Sequence, residues 1–511
     1  MASEPSTAPS FSAGRNWAHR LNVAAAILVV LTLGGMLNYL AARHYARMPL
    51  SDQRRTQLSP QTLRVLRSLT NEVRGTIFFD ARGQEELHGL TTALLREYNY
   101  ANPKVVFKTV DPVRQPAKAE LFLARYKLTG LKDKNFIHLD CGGRTKVIYE
   151  SELSDYDLNA VLSGHDKEFH RIAFKGEMLF TTALFNLANP RQYKICFLQG
   201  HGEHDPDKTE TPHGYGKFAA ILAERSNARW EKLTLLGTND IPADCQLLVI
   251  AGPRLPFETV ELEKISRFLH QGGRLFALIG NLAYTGSRQT GLEKLLAESG
   301  IGVAANMVFD PKNSPTGNDL LTAGMNRAHP IMKALMSDDA DLRLRLVLPR
   351  AVGKSTTTTN AGPDAPQVTV LATTSEAGTS ASEIRDGVPY RNPYTDRTGV
   401  FPLMAAAEQG SVKGITTERG AMRLVVVGDS LGLDNELIDT APANHYFAAL
   451  AVDWLLDRPE VLLQGLLPRP LKEYRIIMTA GQQKVVAAIL LAGLPGIVLL
   501  LGGLVWWRRR S

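Results

Sequence analysis

The chain has 511 residues, 44% hydrophobic and 21% charged, with a formal net charge of +7 and a pI near 9.1. At roughly 100–200 residues per domain, two to four folding units are expected. Lys and Arg are dispersed among acidic residues rather than gathered in a stripe, so no nucleic-acid partner is expected. Cys141, Cys196 and Cys245 form no C-x-x-C pair, which argues against a zinc site or a thioredoxin-type redox pair.

Residues 1–20 read as a short cytoplasmic segment. From Leu21 to Ala42 no residue is charged, enough for one helix across a ~30 Å hydrocarbon core. The rival reading is a cleaved signal peptide. The apolar run exceeds the ~7–15 residues of a signal core, and Arg43-His44 follow in place of a small-x-small site, so an uncleaved anchor is expected. Residues 485–507 form a second uncharged run, closed by Trp506-Trp507 and followed at 508–511 by Arg508, Arg509, Arg510 and Ser511. The terminal arginines place the C-terminus in the cytoplasm. Arg15 and Arg20 permit the same for the N-terminus, against the pull of Arg43, Arg47, Arg54 and Arg55. Both termini are then cytoplasmic in a bacterial inner membrane, and the region between the spans is periplasmic.

The first soluble unit is read at 58–152. Ser59 caps a helix with Pro60 at its first position. A strand at Thr76–Phe79, a helix at Leu87–Tyr98, a strand at Val105–Val110, a helix at Ala117–Tyr126 and a hairpin turning at Gly142-Gly143 follow. The order βαβαββ matches a thioredoxin-like fold without its cysteine pair.

The second unit is read at 170–460. A helix at Lys175–Leu187 leads to strands at Lys194–Leu198, Leu247–Ala251, Leu275–Ile279 and Arg423–Val427. These alternate with helices at Gly216–Ser226, Glu258–His270 and Tyr446–Leu456. The alternation predicts a doubly wound, Rossmann-like parallel sheet. Residues 353–393, rich in Thr, Ser, Gly and Pro, read as a flexible loop interrupted by a strand at Val368–Thr373.

In such sheets the loops at the carboxyl ends of strands form the ligand crevice. Gly200-His201-Gly202-Glu203-His204-Asp205 follows the first strand. Gly200, His201, Gly202 and Glu203 are therefore candidates for a ligand or partner site, and His201, Glu203, His204 and Asp205 a weaker one for a divalent metal. The spacing fits no metal template, and a structural loop bonded to its own backbone is the blander reading. Asp429 and Ser430, after the last parallel strand, could face the same crevice, and Asn444 would cap the next helix. Both also read as ordinary loop and cap residues. Gly353-Lys354-Ser355-Thr356 resembles the end of a P-loop, but Leu348 stands where the motif needs glycine. No G-x-S-x-G elbow occurs. No enzyme activity and no cofactor are expected.

Three stretches, Leu58-Ser59-Pro60 through Val110-Asp111-Pro112, Phe174-Lys175-Gly176-Glu177 with Phe197-Leu198-Gln199-Gly200-His201-Gly202-Glu203, and Val427-Gly428-Asp429-Ser430 with the Asn444 helix, resemble the GldG-like auxiliary component of gliding-motility-type ABC transporters. The resemblance implies a thioredoxin-like module, then a domain similar to a class I amidotransferase sheet without its catalytic residues and to the GIFT domain of an intraflagellar-transport protein. It implies a permease and a separate ATPase as partners. The expectation is a non-catalytic transport subunit. The alternative is a membrane-anchored periplasmic ligand-binding protein or metal-assisted hydrolase built on His201, Glu203 and Asp429.

Overall fold

The computed structural model describes residues 13–43, 58–80, 82, 85–128, 133–156, 171–189, 192–225, 227–280, 289–337, 340–356, 365–385, 388–410, 420–457, 469–470 and 480–510. Arg47, Arg54, Arg55, Pro190, Ser226, the first 12 residues and Ser511 lie outside the described residues.

Helix α1 (Ala13–Arg43) belongs to the unit formed by residues 1–57. Its stretch Leu21–Tyr39 is long and apolar enough to cross a membrane, and so is Lys484–Arg508 at the other end of the chain. The second stretch contains a π-turn at Ile489–Gly493 just before Pro495. Proline lacks an N–H and its ring crowds the preceding turn, and a π-bulge relieves that crowding.

Residues 58–511 form the other compact unit. The Ser59 hydroxyl accepts from the Thr62 N–H and starts helix α2 (Pro60–Ser68), as expected. Strands β1 (Val73–Phe78), β2 (Val105–Val110), β3 (Phe136–Cys141) and β4 (Arg144–Tyr149) form a sheet in the order β2-β1-β3-β4. β1 and β2 are parallel because helix α3 (Glu85–Ala101) carries the chain back between them; β3 and β4 pair antiparallel through the Gly142-Gly143 turn. Helix α4 (Pro116–Tyr126) links β2 to β3.

Helix α5 (Gly176–Ala188) follows. It is assigned by sequence to the second unit, yet it completes the core of the first. Phe180, Leu184 and Leu187 pack with Val65, Leu95 and Ile137, while Met178 enters the core of the large sheet. An apolar helix with both faces covered joins the two sheets.

The large sheet has eight strands. Five are parallel: β5 (Tyr193–Leu198), β6 (Ala228–Leu233), β7 (Leu247–Ala251), β8 (Arg274–Leu278) and, much later, Met422–Val427. The chain also contributes Gly324–Met325, β9 (Gln367–Thr373) and β10 (Pro402–Gln409), and the last parallel strand is β11 (Met422–Val427). The spatial order is β6-β5-β7-β8-β11, continued antiparallel by β10, β9 and Gly324–Met325. The parallel part therefore has the doubly wound 2-1-3-4-5 order, and its direction reverses between β5 and β7. Alternate residues serve opposite faces. Ile195 and Phe197 pack under helix α6 (Gly216–Arg225) and helix α9 (Pro442–Leu455), while Cys196 and Leu198 pack under helix α7 (Thr259–His270) and helix α8 (Leu292–Glu298).

The three antiparallel strands correct the expectation of an all-parallel sheet. β10 (PLMAAAEQ) is rich in alanine, a helix former, and only its neighbours make it a strand. Ile301–Phe309 is likewise a strand, pairing with Arg350–Lys354 and Thr379–Ala381 in a separate small sheet. The stretch 353–393 is thus more ordered than expected: strands occupy Arg350–Lys354, Gln367–Thr373, Thr379–Ala381, Glu383–Arg385 and Val388–Tyr390, with 357–364 and 386–387 outside the described residues.

Candidate functional site

The reversal between β5 and β7 is where an open α/β sheet offers its ligand crevice. Here the chain fills it. After Leu198 the loop 199–215 turns back over the end of β7, and the His204 N–H donates to the Ala251 carbonyl at 2.9 Å. The His201 carbonyl accepts from the Arg254 and Leu255 N–H groups at 2.7 and 3.0 Å. Gly252, at φ +65°, lets the β7 strand end against this loop; a Cβ there would lie 2.6 Å from Ser430 Oγ and 2.9 Å from His204 Cδ2.

His201 is buried and clasped. Its Nε2–H donates to Glu261 Oε2 at 2.9 Å, its ring lies 4.1 Å from the Phe257 ring, and its backbone N–H donates to Glu203 Oε2 at 2.7 Å. With Nε2 protonated, Nδ1 faces Glu203 Oε1 at 3.5 Å. Neither of these two buried atoms has a hydrogen-bond partner, and burial pushes the Glu203 carboxyl up. Gly202, at φ +78°, makes the tight turn that brings Glu203 back under His201.

His204 points elsewhere. Its Nδ1–H donates to the His213 carbonyl at 2.6 Å, which leaves Nε2 to accept from the Ser430 hydroxyl at 3.1 Å. Burial pushes this imidazole down to about 4, so it is neutral. A serine hydrogen-bonded to a neutral imidazole is the start of a nucleophilic dyad. However, Ser430 is 3% exposed and His204 6% exposed, the ring stacks on Tyr215, and the Tyr215 hydroxyl donates to the Ser430 carbonyl. The pair is a buried strut that joins the first and last parallel strands.

Asp429 accepts from the Val347, Leu431 and Gly432 N–H groups at 2.9, 2.8 and 3.0 Å. Asn444 does not cap its helix: α9 starts earlier, at Pro442, and Asn444 lies in its first turn. Its Oδ1 accepts from the Arg345 N–H, and its Nδ2 donates to the Arg345 and Gly432 carbonyls. Asp205 sits at the surface, paired with Lys232 Nζ at 2.6 Å. His201, His204, Asp205 and Asp429 thus have different partners. Among the described residues no group of three or more His, Cys, Asp or Glu side chains is arranged to hold a metal ion.

The sequence reading missed Glu261, the closing partner of His201. Its only signal is the capping box in which Glu258 and Glu261 start α7. It also missed that Glu177 accepts from the Ser59 N–H at 2.6 Å and the Thr62 hydroxyl at 2.8 Å, tying two of the stretches that carry the resemblance to each other.

Residues 192–448 match the family described as ABC-type uncharacterized transport system. The chain belongs to this family. Its members are auxiliary transport components, and residues 52–153 additionally match a domain of unknown function. No curated protein matches the chain. Among solved structures, the mmIFT52 N-terminal domain is 17% identical over 51% of this chain and 96% of its own, with a TM-score of 0.34. A putative thua-like protein from Bacteroides uniformis ATCC 8492 is 14% identical over 52% of this chain and 91% of its own, with a TM-score of 0.30. Neither likeness carries an argument at that score.

Proposed function

We propose that the chain is a non-catalytic, membrane-anchored auxiliary subunit of an ABC-type transport system, GldG-like in layout, with its folded body on the periplasmic side. The observation that carries this is the family match across the large sheet in a chain with an apolar helix of membrane-spanning length at either end. In this reading residues 58–152 are a thioredoxin-like module and 170–460 an amidotransferase-like or GIFT-like module. The two terminal helices pack beside a permease, with Gly493, Gly496, Gly502 and Gly503 allowing close helix approach, and a separate ATPase supplies the energy. The filled crevice supports a structural role for the Gly200–Glu203 loop over a catalytic one.

Purification of the tagged full chain in mild detergent tests the reading. A multispan permease and an ATPase subunit are expected to co-purify; a chain that comes alone from native membranes, or hydrolyses ATP unaided, refutes it. A cysteine introduced near position 210 tests the side of the membrane, through labelling of intact cells by an impermeant reagent.

A further inference from the structure

Among the described residues, a concavity of ligand size lies between the four-stranded sheet and the large sheet. It holds about 680 Å³, within the ~300–1,000 Å³ of small-molecule sites, which favour such boundaries. One wall is β4: Arg144, Lys146 and Ile148 alternate along one face of the strand and line the space together with Thr145. The floor carries an apolar strip, Met178, Leu179 and Leu187 of α5 and Ile221 of α6, edged by Thr182, Asn186 and Glu224.

The charges are uneven. Lys175 and Lys217 also line the groove but are neutralised by Asp155 and Asp439. The Arg144 and Lys146 side chains are part-buried and make no hydrogen bond or ion pair with any described residue, while the one carboxylate beside them in this wall, Glu152, already accepts from the Tyr149 N–H. A half-buried cation without a counter-ion is costly, and an anion arriving there replaces lost solvation with charge-assisted hydrogen bonds. Beside that cationic strand face lies a lipophilic strip formed by two helices.

We propose that this groove is a binding site for an anionic amphiphile, its phosphate or carboxylate head on Arg144 and Lys146 and its apolar body along α5 and α6. The site is independent of any permease or ATPase association, and so survives the failure of the transport assignment.

The test uses the full chain in phosphatidylcholine nanodiscs and two water-soluble probes of equal tail, octyl phosphate and octyltrimethylammonium, followed by saturation-transfer NMR and calorimetry. Octyl phosphate is expected to bind and the ammonium probe not to. The R144E/K146E variant should weaken octyl phosphate about tenfold or more, the loss of one to two charge-assisted contacts. Ala220→Trp, at an exposed position of α6 that lines the groove, leaves both cations in place and should abolish binding by filling the space. Equal binding of the two probes, no binding of octyl phosphate, or binding that survives either variant overturns the proposal. Discs containing phosphatidylglycerol separate two sources of the same chemistry. Competition assigns the head to a membrane lipid, and its absence assigns it to a soluble ligand.

Discussion

Replacing His201 by Ala separates a structural from a functional reading of the Gly200–Glu203 loop. The ring is 5% exposed, and Glu261, which it holds at 2.9 Å, is 1% exposed. Truncation removes a hydrogen bond to a charged partner, worth about 1.5–3 kcal/mol. It also leaves Glu261 Oε2 with only the Glu258 N–H and opens a ring-sized void against Phe257. Stranding one member of a buried charged set costs about 3–5 kcal/mol in total. At roughly 2–4 °C per kcal/mol for a domain of 150–250 residues, the apparent Tm should fall on the order of 10 °C. Scanning fluorimetry of the full chain in detergent reads this directly. His201→Ala at the wild-type melting temperature, with loss of partner association, would refute the structural assignment and make the loop a contact site.

Gly252→Ala forces an L-residue to φ +65° and drives its methyl into Ser430 and His204. The backbone penalty alone is about 1–2 kcal/mol, and the steric overlap adds to it, so a lowered denaturation midpoint is expected. Arg350, 1% exposed, donates to Glu293 at 2.8 Å and to the Ala304 carbonyl at 2.7 Å. Burial opposes the charged carboxyl, yet the hydrogen bond to Arg350 and its neighbours hold Glu293 below the usual range. Arg350→Met should cost about 3–5 kcal/mol in urea titrations, because it strands the buried Glu293 carboxylate; a midpoint unchanged from the wild type would contradict the pair. Burial pushes His204 and His329 down to about 4 and His445 to about 3, against about 6.5 unfolded. The unfolded chain takes up these protons first, so stability is intact above pH 6.5 and is lost as pH falls from there toward 4. The maximum slope is about 1.4 kcal/mol per pH unit per histidine. A melting temperature flat between pH 7 and 5 would count against it.

Elements set by local patterning were legible. The Ser59 cap, the Gly142-Gly143 hairpin, the buried run Leu247–Ala251 and the amphipathic α7 each carry their own signal within a few residues, and the structure places them close to where the sequence does. Elements set by neighbours were not. β10 is a strand because β9 and β11 flank it, and nothing in its alanine run says so. The site was legible by position only. Parallel-strand ends drew attention to His201, Glu203, Asp429 and Ser430, but their partners lie 60 or more residues away for His201–Glu261 and 226 away for His204–Ser430. Pairings at such separation leave no trace in spacing.

The polar residues in the stretches that suggested the family share one physical role. Ser59 and Glu177, 118 residues apart, join α2 to α5. His201 fixes the first crossover to α7 through Glu261. Ser430 ties the last parallel strand to the first through His204, and Asn444 holds α9 against the Arg345 and Gly432 backbone. Each is a buried polar bond between segments that apolar packing alone would leave free to slide, and an unmade bond there costs more than a made one contributes. Such bonds select one arrangement of sheets and helices. Surfaces that these bonds leave open remain available for contacts, and the half-buried cations of β4 are placed on one.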